Sequence, residues 1–226
     1  MEQVQDLVRT LLVYALPVLF AITAHEAAHG YVARMLGDST AADLGRVTLN
    51  PMRHIDPIGT ILMPVLLYVL TAGTFIFGYA KPVPVDWRRL RRPKRDMVWV
   101  AAAGPGANLA QMLAWALFGS ALLGLGISEP FFLLMARAGV LVNLVMFAFN
   151  LLPVPPLDGG RMLVGLLPPR AAMAVARVEP YGFFIVMGLL VAGLVTSWWM
   201  LPMMRATLGA TRLFLPSIMS VISISG

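Results

Sequence analysis

An all-α polytopic membrane protein, a helical bundle with a three-helix core and a small membrane-associated β-hairpin or re-entrant segment, is predicted by three observations. Hydrophobic residues make up 59% of the 226-residue chain and charged residues only 12%, with a mean hydropathy of +0.80, well outside the range of soluble domains. Several charge-free stretches each reach the roughly 20 residues that a helix needs to cross a bilayer. Between two of them lies a dense basic segment, the signature of a loop held on the cytoplasmic side.

The first span is predicted from about Leu7 to Met35, with no charge between Leu11 and Ala24 and a proline, Pro17, at which it can kink. Glu2 and Asp6 stand where a signal peptide carries basic residues, so the segment reads as a retained helix. Residues 37–56 carry turn signals and read as a loop or a small hairpin, with Gly45-Arg46-Val47-Thr48-Leu49 as a candidate short strand. Pro57 to Ala80 is uncharged, but Pro64, Gly73 and Gly78 interrupt it and Phe75 to Ala80 has strand-like composition, so it either crosses or turns back. Lys81 to Asp96 then packs Lys81, Arg88, Arg89, Arg91, Arg92, Lys94 and Arg95 against only Asp86 and Asp96.

Met97 to Ser128 is a second core span, opening on small residues, Ala101 to Asn108, that allow close helix approach. The third runs from Ala138 into the proline-broken segment Asn150 to Leu157, with Asp158-Gly159-Gly160 just beyond. Tyr181 to Met204 makes a further span with Trp198 and Trp199 as interfacial anchors, and the tail from Arg205 either folds back or lies on the surface. No repeat or low-complexity linker divides the chain, so residues 1–226 are expected to form one membrane domain. Its core covers about 7–165 and its C-terminal helices about 178–222.

Chemistry enters at His25-Glu26-Ala27-Ala28-His29. Positions i and i+4 share a helix face, so both histidines can reach one metal ion, with Glu26 beside them to handle protons. A catalytic zinc takes three protein ligands and leaves one position open. The chain has no cysteine, so the third ligand is His54, Glu129 or Asp158. Asp158 is favoured because it follows a helix interrupted by Pro153, Pro155 and Pro156, where freed backbone lines a polar cavity, and because an intramembrane carboxylate is costly unless a cation compensates it. His54 is left as a structural or accessory residue. The net charge of +6 collects between spans, without the aromatic-interleaved groove of a nucleic-acid binder, so nucleic acid is excluded as a partner.

His25-Glu26-Ala27-Ala28-His29, Gly104-Pro105-Gly106-Ala107-Asn108 and Asn150-Leu151-Leu152-Pro153 through Leu157-Asp158-Gly159, in this order within apolar helices, resemble the site-2 protease family of intramembrane zinc metalloproteases, here in a compact bacterial-type form without PDZ or CBS modules. The resemblance implies a catalytic three-helix core holding one Zn2+ on His25, His29 and Asp158, with Glu26 as general base. It further implies that Asn108 and Asn150 lie near the substrate and that Phe77 to Val83, including Gly78, Tyr79 and Ala80, forms a re-entrant strand onto which an unwound transmembrane substrate adds. The implied reaction is hydrolysis of a peptide bond within or near a transmembrane segment, in a bacterial inner membrane. The rival reading is a membrane metal transporter or metal-binding sensor, which needs more ligands along a path than three histidines supply.

The metal site also constrains topology. With segment 81–96 cytoplasmic, the span from Met97 runs outward and the next returns, placing Asp158 toward the cytoplasmic side. The histidines, late in the first helix, meet it only if that helix runs inward from an external N-terminus and Pro57 to Ala80 turns back. Were that segment to cross, histidines and aspartate would lie on the order of 20 Å apart.

Overall fold

A computed structural model of the protein describes residues 2–70, 78 and 80–224. Three helices dominate. α1 (Glu2–Met35) runs unbroken through Pro17, α4 (Pro93–Gly124) passes through Pro105, and α5 (Pro130–Asn150) follows a tight turn containing Gly126, whose φ is +70°. All three are long and apolar enough to span a bilayer. Between α1 and α4 lie two short α-helices, α2 (Thr40–Asp43) and α3 (Met63–Leu70), the latter preceded by a π-helical turn at Pro57–Leu62. After α5 come α6 (Asp158–Leu166), α7 (Pro169–Ala176), α8 (Glu179–Val191), α9 (Leu201–Arg212) and α10 (Ile218–Ile222).

Two hydrogen bonds set the topology. The Arg91 amide donates to the Leu36 carbonyl at 3.0 Å, so the end of α1 and the approach to α4 lie together and the two helices run antiparallel. The Lys81 amide donates to the His54 carbonyl at 2.9 Å, so the segment between these residues starts and finishes at one level. The course of Pro57 to Ala80, read as crossing or turning back, falls in part on residues 71–77 and 79, outside the described residues. The strand-like stretch itself, Phe75 to Phe77 and Tyr79, lies outside the described residues.

The expected strand at Gly45 to Leu49 is not formed. These residues make turns and bends, because their groups bond locally: the Gly45 and Arg46 amides donate to the carbonyls of Ala42 and Ala41, and the Thr48 carbonyl accepts from His54 Nε2. No strand occurs among the described residues, so the hairpin of the sequence reading is absent there. Tyr181 to Met204 is likewise not one helix. α8 ends at Val191, Gly193 just beyond it, with a φ of +71°, breaks the ladder, and a π-helical turn at Val195–Met200 leads into α9. With a 65° bend, α7 and α8 together make a fourth membrane-crossing candidate.

The main core lies between α4, α5 and the tail. Met112 and Ala116 meet Ala136, Val140 and Leu144, and the tail supplies fully buried Ile218 and Val221. The segment after Arg205 therefore folds back into the bundle. A second cluster, around Leu152, Val186 and Val195, docks α8, and the Trp199 indole donates to the Ala148 carbonyl at 2.8 Å. Trp199 is thus a packing residue, while Trp198 stays exposed.

Candidate metal centre

His25 and His29 lie one turn apart on the inner face of α1, their rings edge to face with centroids 4.7 Å apart. Asp158, the first residue of α6, comes to them from 129 positions beyond His29. Its Oδ2 stands 3.2 Å from His25 Nε2 and 3.3 Å from His29 Nε2, and the two nitrogens are 3.1 Å apart. Glycines permit this approach: a Cβ on Gly159 would strike the Leu151 and Leu152 carbonyls, and one on Gly160 would strike the backbone at Val154 and Pro155. Without these glycines the start of α6 could not pack this closely against the end of α5 and the proline segment after it.

Hydrogen bonds define which atoms carry protons. The Asn143 amide nitrogen donates to the Gly139 carbonyl, which turns its oxygen toward Asn108. Asn108 Nδ2 donates to that oxygen at 3.0 Å and to the Ala21 carbonyl at 3.1 Å, leaving Asn108 Oδ1 to accept from His25 Nδ1 at 2.6 Å. The Val100 carbonyl accepts from His29 Nδ1 at 2.7 Å. In their neutral forms both imidazoles therefore carry the proton on Nδ1 and turn an Nε2 lone pair toward Asp158.

Asp158 Oδ2, itself buried, receives no hydrogen bond. Three Lewis-basic atoms converge without a proton to separate them, an arrangement that a cation stabilises. Their separations of 3.1 to 3.3 Å match the edges of about 3.3 Å of a tetrahedron with 2.0–2.1 Å metal bonds, so the donor set fits Zn2+. Among the described residues these three make the one His, Cys, Asp and Glu group that can share an ion. Space is kept open beside them by Gly104, where a Cβ would collide with both Nε2 atoms.

Glu26 is half-buried and its Oε2 accepts from the Val83 amide at 2.7 Å. Val83 belongs to a segment tied down from several sides. The Lys81 and Pro82 carbonyls accept from the buried Arg46 guanidinium, at 2.8 and 3.4 Å, and the Lys81 amide is bound to His54. At the end of α1 the buried Asp38 carboxylate accepts from the Thr40 amide and hydroxyl and from the Asp86 amide at 2.7 Å. Burial alone would raise its pKa. The Thr40 and Asp86 donors and the nearby Arg89 charge outweigh that and hold it below the ordinary value of 3.8.

The remaining sequence candidates divide. Asn108 joins the centre by holding His25, and its amide is fully engaged in doing so. Asn150 donates to the Met146 carbonyl of its own helix. His54 is buried and bonds Thr48, outside the three-donor group. Gly78 is exposed, Ala80 is half-buried, and Tyr79 lies outside the described residues. Sequence reasoning gave no role at the centre to Gly104, which it read as helix packing, nor to Asn143, Arg46 or the Val83 amide. Gly104 had a signal, four residues before Asn108 and so on the same face of α4. Asn143, seven residues before Asn150 in an otherwise apolar helix, had one as well.

Comparison with known proteins agrees with this geometry. The sequence model of peptidase family M50 matches residues 122–193, which include α5 and Asp158. A Bacillus subtilis protein named "Putative zinc metalloprotease YwhC" is 39% identical over 199 residues, 84% of each chain. Proteins named "Putative zinc metalloprotease Rip2" are 32% identical in Mycolicibacterium smegmatis and 29% in Mycobacterium tuberculosis, over 80% of this chain and 67% of theirs. No solved structure matches. With identity of this level extending over most of both chains, the protein belongs to peptidase family M50, the site-2 protease family, and is an integral-membrane zinc metalloendopeptidase.

Proposed function

We propose that this protein cleaves a peptide bond within or near a transmembrane segment of other membrane proteins, with His25, His29 and Asp158 as the zinc ligands and Glu26 as the general base. The observation that carries this reading is the convergence of three unprotonated donor atoms, two on the membrane-length helix α1 and one at the start of α6, with Glu26 next to the first of them. Bound there, Zn2+ supplies Lewis acidity for the scissile carbonyl and acidifies water. Glu26 takes the proton from the attacking water and returns it to the leaving amine, its carboxylate oriented by the Val83 amide. The Asn143–Asn108 relay holds His25 in the tautomer that presents Nε2, and the Val100 carbonyl does the same for His29. The substrate helix unwinds locally, since a helical peptide bond is enclosed and its backbone already bonded.

Residues 1–226 act as one protease domain in this reading, in the bacterial inner membrane with the active site toward the cytoplasm. Support comes from the basic residues 81–95 and from the Leu36–Arg91 contact, which put both ends of the loop region on the metal's side of the bundle. Glu26→Gln is expected to retain zinc and lose cleavage of a reconstituted model transmembrane substrate by at least about 100-fold. Undiminished cleavage removes Glu26 from the mechanism. Cysteines introduced at Met1 and Arg89 are expected to label from opposite sides of the membrane, and same-side labelling overturns the orientation.

A further inference from the structure

Where α4 enters the bilayer, a cavity of about 290 Å3 lies between its first turns and the end of α1. Arg92, Arg95 or Asp96, and Trp99 recur at i, i+3/i+4 and i+7, so they share one face of the helix, and Arg91 and Leu36 close the other side. Among the described residues the Arg and Lys ion pairs are Arg89–Asp86 and Arg161–Glu179, so the guanidiniums of Arg91, Arg92 and Arg95 have no carboxylate partner. Asp96 is buried and already accepts from the Arg92 amide at 2.8 Å. Three guanidiniums against one engaged carboxylate leave the cavity strongly cationic.

Its depth identifies the ligand. α4 has 32 residues, roughly 48 Å of helix against about 30 Å of hydrocarbon, and its charge-free part begins only at Met97. Arg91 to Asp96 therefore stand in the headgroup layer. Trp99, 57% exposed, lies just below at the level where indoles mark the membrane interface. We propose that this cavity binds the phosphodiester headgroup of an anionic phospholipid, with Arg91, Arg92 and Arg95 on the phosphate and Trp99 and Leu36 against the glycerol and upper acyl chain. Guanidiniums match phosphate oxygens in paired hydrogen bonds. A loop that only directed topology would need the charges but neither the concavity nor an indole wall.

The zinc-loaded full-length protein is reconstituted in phosphatidylcholine vesicles containing the same mole fraction of either dibrominated phosphatidylglycerol or dibrominated phosphatidylcholine. Quenching of Trp99 is taken as the difference from Trp99→Phe. The brominated anionic lipid is expected to quench with about five-fold or greater preference, an enrichment ordinary for even one basic contact at a surface. The double variant Arg91→Gln/Arg95→Gln abolishes that preference, whereas Arg91→Lys/Arg95→Lys keeps part of it. Zinc content and thermal midpoint report whether the double variant folds, and Arg95→Gln alone, with an intermediate preference expected, replaces it if it does not. Equal quenching by the two lipids, or a preference that survives the glutamines, overturns the proposal. Loss of the preference on adding inorganic phosphate assigns the cavity to a soluble anion and overturns it as well.

Discussion

Asp38 and Asp158 are both buried, at 0% and 6% exposure, and both sit where a helix begins or ends, yet their surroundings are opposite. Asp38 is surrounded by donors: the Thr40 amide and hydroxyl, the Asp86 amide and the neighbouring Arg89. Asp158 Oδ2 faces only the Nε2 atoms of two imidazoles whose protons are committed elsewhere. One carboxylate is satisfied by the protein and ties segments 37–40 and 86 together. The other receives no hydrogen bond from the protein at Oδ2. A buried acid thus reads as structural or metal-binding from the identity of its donors rather than from burial alone.

The largest effect expected from this contrast comes from exchanging each acid for its amide. Asp158→Asn should lose stoichiometric zinc and reduce proteolysis by several orders of magnitude, with the metal-free protein no less stable than metal-free wild type. Asp38→Asn should keep the zinc and lose stability by about 1–3 kcal/mol, because a donor replaces one of its acceptor oxygens. Metal analysis and thermal unfolding of the two purified variants separate the outcomes, and zinc loss in Asp38→Asn would break the comparison.

A smaller effect is expected at Asn143, which bonds none of His25, His29 and Asp158. Asn143→Leu removes the acceptor that orients Asn108 and should weaken zinc binding by about 10- to 100-fold, read by competition with a chelating indicator. An unchanged affinity would mean that the Ala21 carbonyl alone holds the Asn108 amide.

The smallest effect is one of pH. Asp38 has a folded pKa below its ordinary value, so its ionised form contributes stability that is present above about pH 4 and lost as pH falls through the folded value. The thermal midpoint of the metal-free protein should therefore fall more steeply below pH 4 in wild type than in Asp38→Asn. Parallel curves would place the acid sensitivity elsewhere.

The legibility of the molecule follows the reach of its interactions. The His25–His29 pair was readable because a helix alone brings i and i+4 to one face. Asp158 was readable because few ligands were available and because a carboxylate beyond a proline-broken apolar helix needs a cation. What Asn108 bonds was not readable, because its partners, His25 and Ala21 more than 80 residues earlier and Asn143 35 residues later, come from other helices. Asn150, equally polar in sequence, turns back onto its own helix. Composition suggested a strand at Gly45 to Leu49 and one span from Tyr181 to Met204. The first formed no ladder because its groups bond locally, and the second broke at a left-handed Gly193.

By itself, then, the sequence determined that the chain lies in a membrane, that its helices span it, and that two histidines and a glutamate share one helix, because hydrophobicity and helical period are local properties. Tertiary structure decided which protons the histidines carry, why Gly104 must lack a side chain, what holds Glu26, and that His54 meets Lys81. Each of these depends on atoms that meet only when distant segments pack, and no local pattern in the chain encodes such a meeting.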